Sequence, residues 1–292
     1  MNNRNDLLIM HGDGRMYENV YIPSRFENII LRHVILNCVK TDNHRPAPLL
    51  LIQGKKGEGK SFMTEAILKG NGIYHKIISS SILAGEKEND AVRRLMQYYN
   101  KCEMNETADK YSALVIDDFH LSIAVTKQEA SHTTNADNLL SALMNIADRK
   151  DELKTPIILL GNNFTNMYAP LTRFGRMSIV TWTPSPIDKA EIVKQLIIRH
   201  DYDRRRITFR DIQTFVEHYD QYIGFYEQVV ENTVLNDFEE VTQYFVSQGG
   251  KVAYSVLHDL IQKSTTGNII TMDSLYREAE KLMNMKLEKL DT

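Results

Sequence analysis

The sequence predicts an α/β fold built on a five-stranded parallel sheet, with an all-helical region after it. Three observations predict this. Five short branched runs alternate with helical patterns, a glycine-rich loop joins the first run to the first helix, and the texture changes after Pro184 and Pro186.

The branched runs cover 49–53, 76–80, 113–117, 156–161 and 179–182, and each is the length of a strand. Helical patterns at 61–69, 90–101 and 138–149 lie between them, so the strands are expected to run parallel under helices on both faces. Beyond the two prolines only amphipathic helical segments follow, at 188–200, 209–219, 224–246, 253–262 and 273–290. Asp273 is placed to cap the last of these, whose apolar face carries Leu275, Ala279, Leu282, Met283 and Leu290. The expected division is an α/β domain over 1–184, with a short extension at 1–19, and a helical domain over 185–292.

Composition narrows the class. The chain has 292 residues, 42% hydrophobic and 25% charged, which is ordinary globular material with enough apolar content for a sizeable core. The longest apolar runs, 49–52 and 157–160, are far too short to span a bilayer. The polar opening lacks an apolar stretch with a small-residue cleavage site, so no secretory leader and a cytoplasmic location are expected. Cys38 and Cys102 stand in no metal or redox spacing and are expected to be buried thiols. A net charge of −3 argues against a global nucleic-acid footprint, and Arg204, Arg205 and Arg206 read as a solvated turn.

The chemistry concentrates in four places. Gly54, Gly59, Lys60 and Ser61 satisfy G-x-x-x-x-G-K-[ST] between a strand and a helix, the context that makes the pattern a phosphate-binding loop. Its glycines let backbone N–H groups turn inward, Lys60 adds a point charge, Ser61 a hydroxyl ligand for Mg²⁺, and the helix N-terminus a favourable dipole. The whole segment Gly54, Lys55, Lys56, Gly57, Glu58, Gly59, Lys60, Ser61 and Phe62 is expected to wrap the nucleotide. In "ALVIDDF" an apolar strand ends in Asp117, suited to the Mg²⁺ shell, and Asp118, suited to polarising an attacking water. "IILLGNN" ends another strand with Asn162, an amide able to orient that water. "APLTRFGRM" sets Arg173 and Arg176 three residues apart, close enough to reach one anion together. His120 and His132 lack the carboxylate or thiol company of a metal site and read as plain loop histidines. Tyr98 and Tyr99 read as core.

These elements in this order resemble an AAA+ ATPase, and within that superfamily the rubisco activases. "YIPSRF" (21–26), "GKKGEGKSF" (54–62), "LMNIAD" (143–148) and "GNNFTNMYAPLTRFGRM" (161–177) carry the resemblance, which runs from about Val20 through the ATPase domain and thins afterwards. The resemblance implies an AAA+ domain with a helical lid, MgATP as the nucleotide, Lys60 and Ser61 in the Walker A role, and Asp117 and Asp118 as the Walker B pair. It further implies Asn162 as sensor 1, Arg173 and Arg176 as fingers reaching a neighbouring subunit, and a hexameric ring whose pore loops fall at about 81–89 and 120–134. Departures occur where a client would be met. "SSSILAGEKEN" and "HLSIAVTKQEASHTT" replace the family's loop segments, and "IGFYEQVVEN" has no arginine where sensor 2 is expected.

The expectation is therefore an ATPase that remodels a protein client not assumed to be rubisco. The alternative is an assembly switch that recruits a partner effector. Neither a membrane nor a nucleic acid is expected as partner.

Overall fold

In the computed structural model the residues described are 12–17, 20–39, 46–83, 89–106, 110–122, 130–148, 155–164, 169–200, 202–203, 206–235, 238–265 and 269–288. They fall into two compact units. One is chiefly Ile22–Thr183; the other is chiefly Pro184–Thr292, joined by Gly12, Asp13 and Tyr21 from the N-terminal end.

The first unit is a parallel α/β sheet. Gly14–Tyr17 (β1) and Val20–Pro23 (β2) form a short ribbon, and Ser24–Cys38 is helix α1. The sequence reading places no element before Leu49, because 24–38 mixes apolar and polar residues without an N-capping side chain; Pro23 occupies the cap position. The helix still buries Phe26, Ile30 and Val34, spaced four apart on one face.

The sheet strands are Leu49–Gln53 (β3), Tyr74–Ser79 (β4), Ser112–Asp117 (β5), Ile157–Gly161 (β6) and Met177–Thr181 (β7), all parallel and in the order β4-β5-β6-β3-β7. Burial on both faces explains the unbroken apolar runs of β3 and β6. The edge strand β7 begins two residues earlier than its pattern suggests and alternates weakly, since only one side of it is paired. Helices α2 (Lys60–Gly70), α3 (Ser80–Leu83), α4 (Asp90–Glu103), α5 (Phe119–Ser122) and α6 (Ala130–Asp148) connect the strands. Amphipathic α4 buries Ala91, Leu95, Tyr99 and Cys102. Tyr99 and Cys102 thus join the core and Tyr98 packs against it. Burial pushes the Cys102 thiol up to about 11. Cys38 is a correction, being only half-buried.

Register decides where chemistry can occur. Gln53 stands beside Gly161 on one side and Thr181 on the other, and Ser79 beside Asp117, so the strands' C-terminal ends form one edge. β3 lies between β6 and β7 while its chain leaves for β4 at the far edge, which opens a crevice at those ends.

The second unit contains α7 (Pro186–Ile198), α8 (Phe209–Tyr219), α9 (Ile223–Val234), α10 (Phe238–Ser247), α11 (Tyr254–Thr265) and α12 (Met272–Glu288). Capping boxes start two of them: Ser185 with Asp188, and Thr208 with Asp211. The single helix expected over 224–246 is two, α9 and α10. The Leu235 amide closes α9 on the Glu231 carbonyl. On α12, Leu275 and Ala279 are buried and Leu282 and Met283 pack against the same core; Leu290 lies outside the described residues. Of the three arginines read as a turn, Arg206 is described and lies 3.6 Å from Asp203.

An ion pair is built into α7. Lys194 and Glu191 are 2.5 Å apart with side chains 1% and 0% exposed, and Glu191 also accepts the Gly12 amide at 3.3 Å. Removing one partner takes the paired counter-charge from a buried ionised group. Lys194→Ala is expected to lower unfolding free energy by roughly 3–5 kcal/mol, measured by urea denaturation, with the Lys194→Met/Glu191→Leu pair recovering most of it.

In the first unit, burial pushes the imidazole of His33 on α1 down to about 4, against smaller raising effects from the Ile157 and Pro48 backbone. The folded value lies below the unfolded one, so the unfolded chain takes up a proton that the folded chain refuses. Stability is therefore lost as pH falls from about 6.5 toward 4. This group alone is expected to lower stability by about 2 kcal/mol between pH 7 and pH 5, and His33→Leu should flatten that slope in urea melts at the two pH values.

Candidate nucleotide site

The loop after β3 starts at a glycine for steric reasons. A β-carbon on Gly54 would sit 2.3 Å from the Trp182 backbone oxygen. That contact exists because β7 pairs with β3 up to the loop, the Trp182 amide donating to Gln53 O at 2.7 Å. On the other side the Gly54 amide donates to Gly161 O at 3.2 Å. The Trp182 indole reaches across to donate to the Glu58 carbonyl at 3.2 Å, and stacks edge-on with Phe26 at 4.7 Å. Gly57 and Gly59 have φ of 82° and 73°, which only glycine adopts cheaply, and Gly59 leads directly into α2.

Inside this loop Lys60 is buried. Its ammonium donates to the Gly54 carbonyl at 2.7 Å, the Lys55 carbonyl at 2.8 Å and Asn162 Oδ1 at 3.4 Å. Burial lowers its pKa from the ordinary lysine value, opposed by Glu58, Asp117 and Asp118. The Ser61 hydroxyl donates to Asp117 Oδ1 at 2.8 Å. Asp118 adopts a φ of 51°, uncommon outside glycine, and its amide donates to Asp117 Oδ1 at 2.9 Å. The Asp118 carboxylate stays half exposed, 4.0 Å from His120 Nδ1, and Asn162 Nδ2 lies 3.4 Å from His120 Nε2.

Of the residues singled out from the sequence, the structure thus brings Gly54, Lys60 and Asn162 into one hydrogen-bonded set and Ser61 and Asp117 into an adjoining pair, with Asp118 beside it. Lys55, Lys56, Gly57, Glu58 and Gly59 form the loop around them. Phe62 starts on the same helix with a side chain 58% exposed. The donor set fits a triphosphate with its divalent cation: a buried ammonium, a turned-in glycine loop, and a hydroxyl and carboxylate in contact. Among the described residues no group of three or more His, Cys, Asp or Glu side chains could hold a metal ion.

The two arginines stand apart from this group. Arg176 is clamped within its own chain, Nε and Nη2 donating to the two oxygens of Asp148 at 2.6 and 2.7 Å and Nη1 to the Pro170 carbonyl at 2.7 Å. Arg173 is exposed, and its carbonyl accepts the Arg176 amide at 3.0 Å. The segments 84–88 and 123–129, which belong to the two expected pore loops, lie outside the described residues, as does the side chain of His132.

Sequence reasoning missed three participants. His120 reads as a loop residue, yet its Nε2 lies 3.4 Å from Asn162 Nδ2 and its Nδ1 stands 4.0 Å from the Asp118 carboxylate; its place two residues past the carboxylate pair is the available signal. Trp182 and Asp148 act across long sequence separations, 124 residues to Glu58 and 28 to Arg176, and no local pattern marks them.

Residues 50–185 match the family described as "ATPase family associated with various cellular activities (AAA)", and this segment is an AAA ATPase domain. It is related to rubisco activase. The chain is 30% identical over 200 residues to the ribulose bisphosphate carboxylase/oxygenase activase of Nostoc sp., covering 64% of this chain and 48% of that protein. It is 27% identical over 244 residues to the activase of Anabaena sp. (79% and 57%), and 28% over 204 residues to the chloroplastic activase of Zea mays (66% and 47%). The chain spans about half the length of these curated relatives. Among solved structures, the FIGL-1 AAA domain in complex with ADP superposes with a TM-score of 0.62 at 13% identity, covering 93% of this chain and 85% of that one, a likeness of fold. No helix among the described residues is long and apolar enough to cross a membrane.

The steric contact at the loop's first residue is directly testable. Gly54→Ala is expected to push the loop away from β7, costing about 1–3 kcal/mol in chemical denaturation.

Proposed function

We propose that this chain is a homo-oligomeric ATPase that hydrolyses MgATP between neighbouring copies and uses the cycle to remodel a protein client. The observation that carries this reading is the 2.8 Å contact between Ser61 and Asp117, which joins the phosphate loop to a carboxylate 56 residues away at the end of β5. A hydroxyl and a carboxylate meeting beside a buried lysine are what a phosphate-bound cation requires.

In this reading Lys60 and the loop amides hold the β- and γ-phosphates, and Ser61 and Asp117 hold Mg²⁺. When bound, that ion offsets the phosphates' negative charge. Asp118, half exposed and outside the Ser61 contact, orients the attacking water and accepts its proton. Asn162 and His120 set that water's position. The water oxygen bonds to the γ-phosphorus as the bond to the β–γ bridging oxygen breaks, and ADP leaves with the electron pair. Arg173 and Arg176 of a neighbouring copy stabilise the charge on the transferring group. Because the segments at 81–89 and 120–134 depart from the activase pattern, rubisco is not carried over as the client.

The Arg176 clamp favours a second reading, in which ATP drives assembly that recruits an effector and turnover is a timer. A finger held by Asp148 until a neighbour arrives makes hydrolysis follow assembly. Steady-state turnover stimulated several-fold by an unfolded or misassembled protein supports remodelling; turnover indifferent to such proteins supports the switch.

Lys60→Ala is expected to abolish binding of a fluorescent ATP analogue. Asp118→Asn should leave that binding within about threefold while slowing turnover by about 10²–10⁴-fold. Arg176→Ala should spare binding and slow turnover by about 10³-fold or more. Specific activity of the unaltered chain should rise with protein concentration; equal activity in a dilute monomer and in the assembly overturns the trans arrangement.

A further inference from the structure

We propose that Phe174 is an aromatic knob that docks the arginine turn onto a second copy of this chain, and that Phe62 beside the phosphate loop is its seat. The inference rests on the reading that Arg173 and Arg176 act on a neighbour's nucleotide, and it identifies the surface that brings them there.

The side chain of Phe174 is 106% exposed, more than any other large hydrophobic described. A scattered surface phenylalanine needs no explanation, but the backbone that presents this one is braced on three sides. The Arg176 amide closes the turn on the Arg173 carbonyl at 3.0 Å. Gly175 supplies the φ of 87° that the third position of such a turn demands. Arg176 is then pinned to Asp148 and to the Pro170 carbonyl. Phe174 sits at the apex of a turn that is already ordered, so docking it costs little conformational entropy. The flanking Arg173 is exposed on the same turn.

An apolar side chain is likewise exposed where these arginines must arrive. Phe62 is 58% exposed in the first turn of α2, while the next residues, Met63 and Thr64, are buried. It follows Ser61, whose hydroxyl contacts Asp117, and the adjacent Asp118 carboxylate is half exposed. The charges complement each other: Arg173 on the knob meets Asp118 and the phosphates at the seat. Lys55 and Lys56, exposed on the same loop, are offset by a bound triphosphate. Arginines aimed at a phosphate held by Lys60 and Ser61 bring a phenylalanine between them to the residue next to Ser61. Knob and seat are different patches of one surface, so the contact is head-to-tail and repeats from copy to copy, closing into a ring when the rotation permits.

The test uses the full chain. With Mg²⁺ and a slowly hydrolysed ATP analogue, Phe174→Ala and Phe62→Ala should each raise the protein concentration at the sedimentation midpoint of assembly by about tenfold. The double variant should shift it no further than the larger single one. Turnover of Phe174→Ala at saturating protein should stay within about twofold of the unaltered chain. A short bismaleimide should cross-link a mixture of Phe62→Cys and Phe174→Cys chains into covalent dimers, beyond the background that Cys38 and Cys102 give in either chain alone. A chain that does not assemble with nucleotide, or an Arg176→Ala variant with full turnover, overturns the trans-finger reading itself. Assembly with an intact Arg176 effect, but with no midpoint shift from Phe174→Ala and no mixed cross-link, overturns the docking contact alone and assigns Phe174 to another partner.

Discussion

The site depends on a missing β-carbon. Gly54 lies so close to the Trp182 carbonyl that no other residue fits without moving β7, and the same glycine donates to the carbonyl of Gly161 on β6. The first residue of the loop is therefore fixed by the two strands that flank β3. From that point the loop has little freedom. Its carbonyls at 54 and 55 take the Lys60 ammonium, Trp182 ties down the carbonyl at 58, and Gly57 and Gly59 turn the chain into α2. The lysine ammonium is held by backbone carbonyls of its own loop, and this keeps a buried cation satisfied.

The two units are stabilised by different means. The sheet unit relies on layers: strands buried on both faces, and helices whose apolar residues recur at three and four positions. The helical unit relies more on local signals. Capping boxes start α7 and α8, aromatic edges from Phe215, Tyr219, Tyr226 and Tyr276 meet in its core, and a buried Lys194–Glu191 pair sits on α7. An ion pair of this kind is weak evidence for stability, since apolar packing of equal volume often does as well. It marks a position where loss of either partner is expensive.

The sequence made the parallel sheet readable because its strands are buried on both faces and so write unbroken apolar runs. The loop was readable because its chemistry is contiguous: glycines, lysine and serine act within eight positions. The carboxylates and the amide were readable from their place at strand ends. What was hidden acts at a distance. Trp182 and Asp148 reach partners far along the chain, and α1 forms without a capping side chain to announce it. The break between α9 and α10 is hidden because an apolar helical pattern precedes it and resumes after it, and periodicity alone does not register the interruption. His120 is hidden because a lone histidine carries no metal-ligand pattern, and its contact is with an amide 42 residues away.

The clamp on Arg176 also sets how the arginine turn is charged at a distance. A guanidinium paired bidentately with Asp148 carries almost no net charge at a distance, so the turn presents the single positive charge of Arg173. In the proposed assembly the turn would therefore contribute one exposed charge to long-range steering, screened within about 8–10 Å at ordinary ionic strength, and the second charge would join only once contact had drawn Arg176 from its carboxylate.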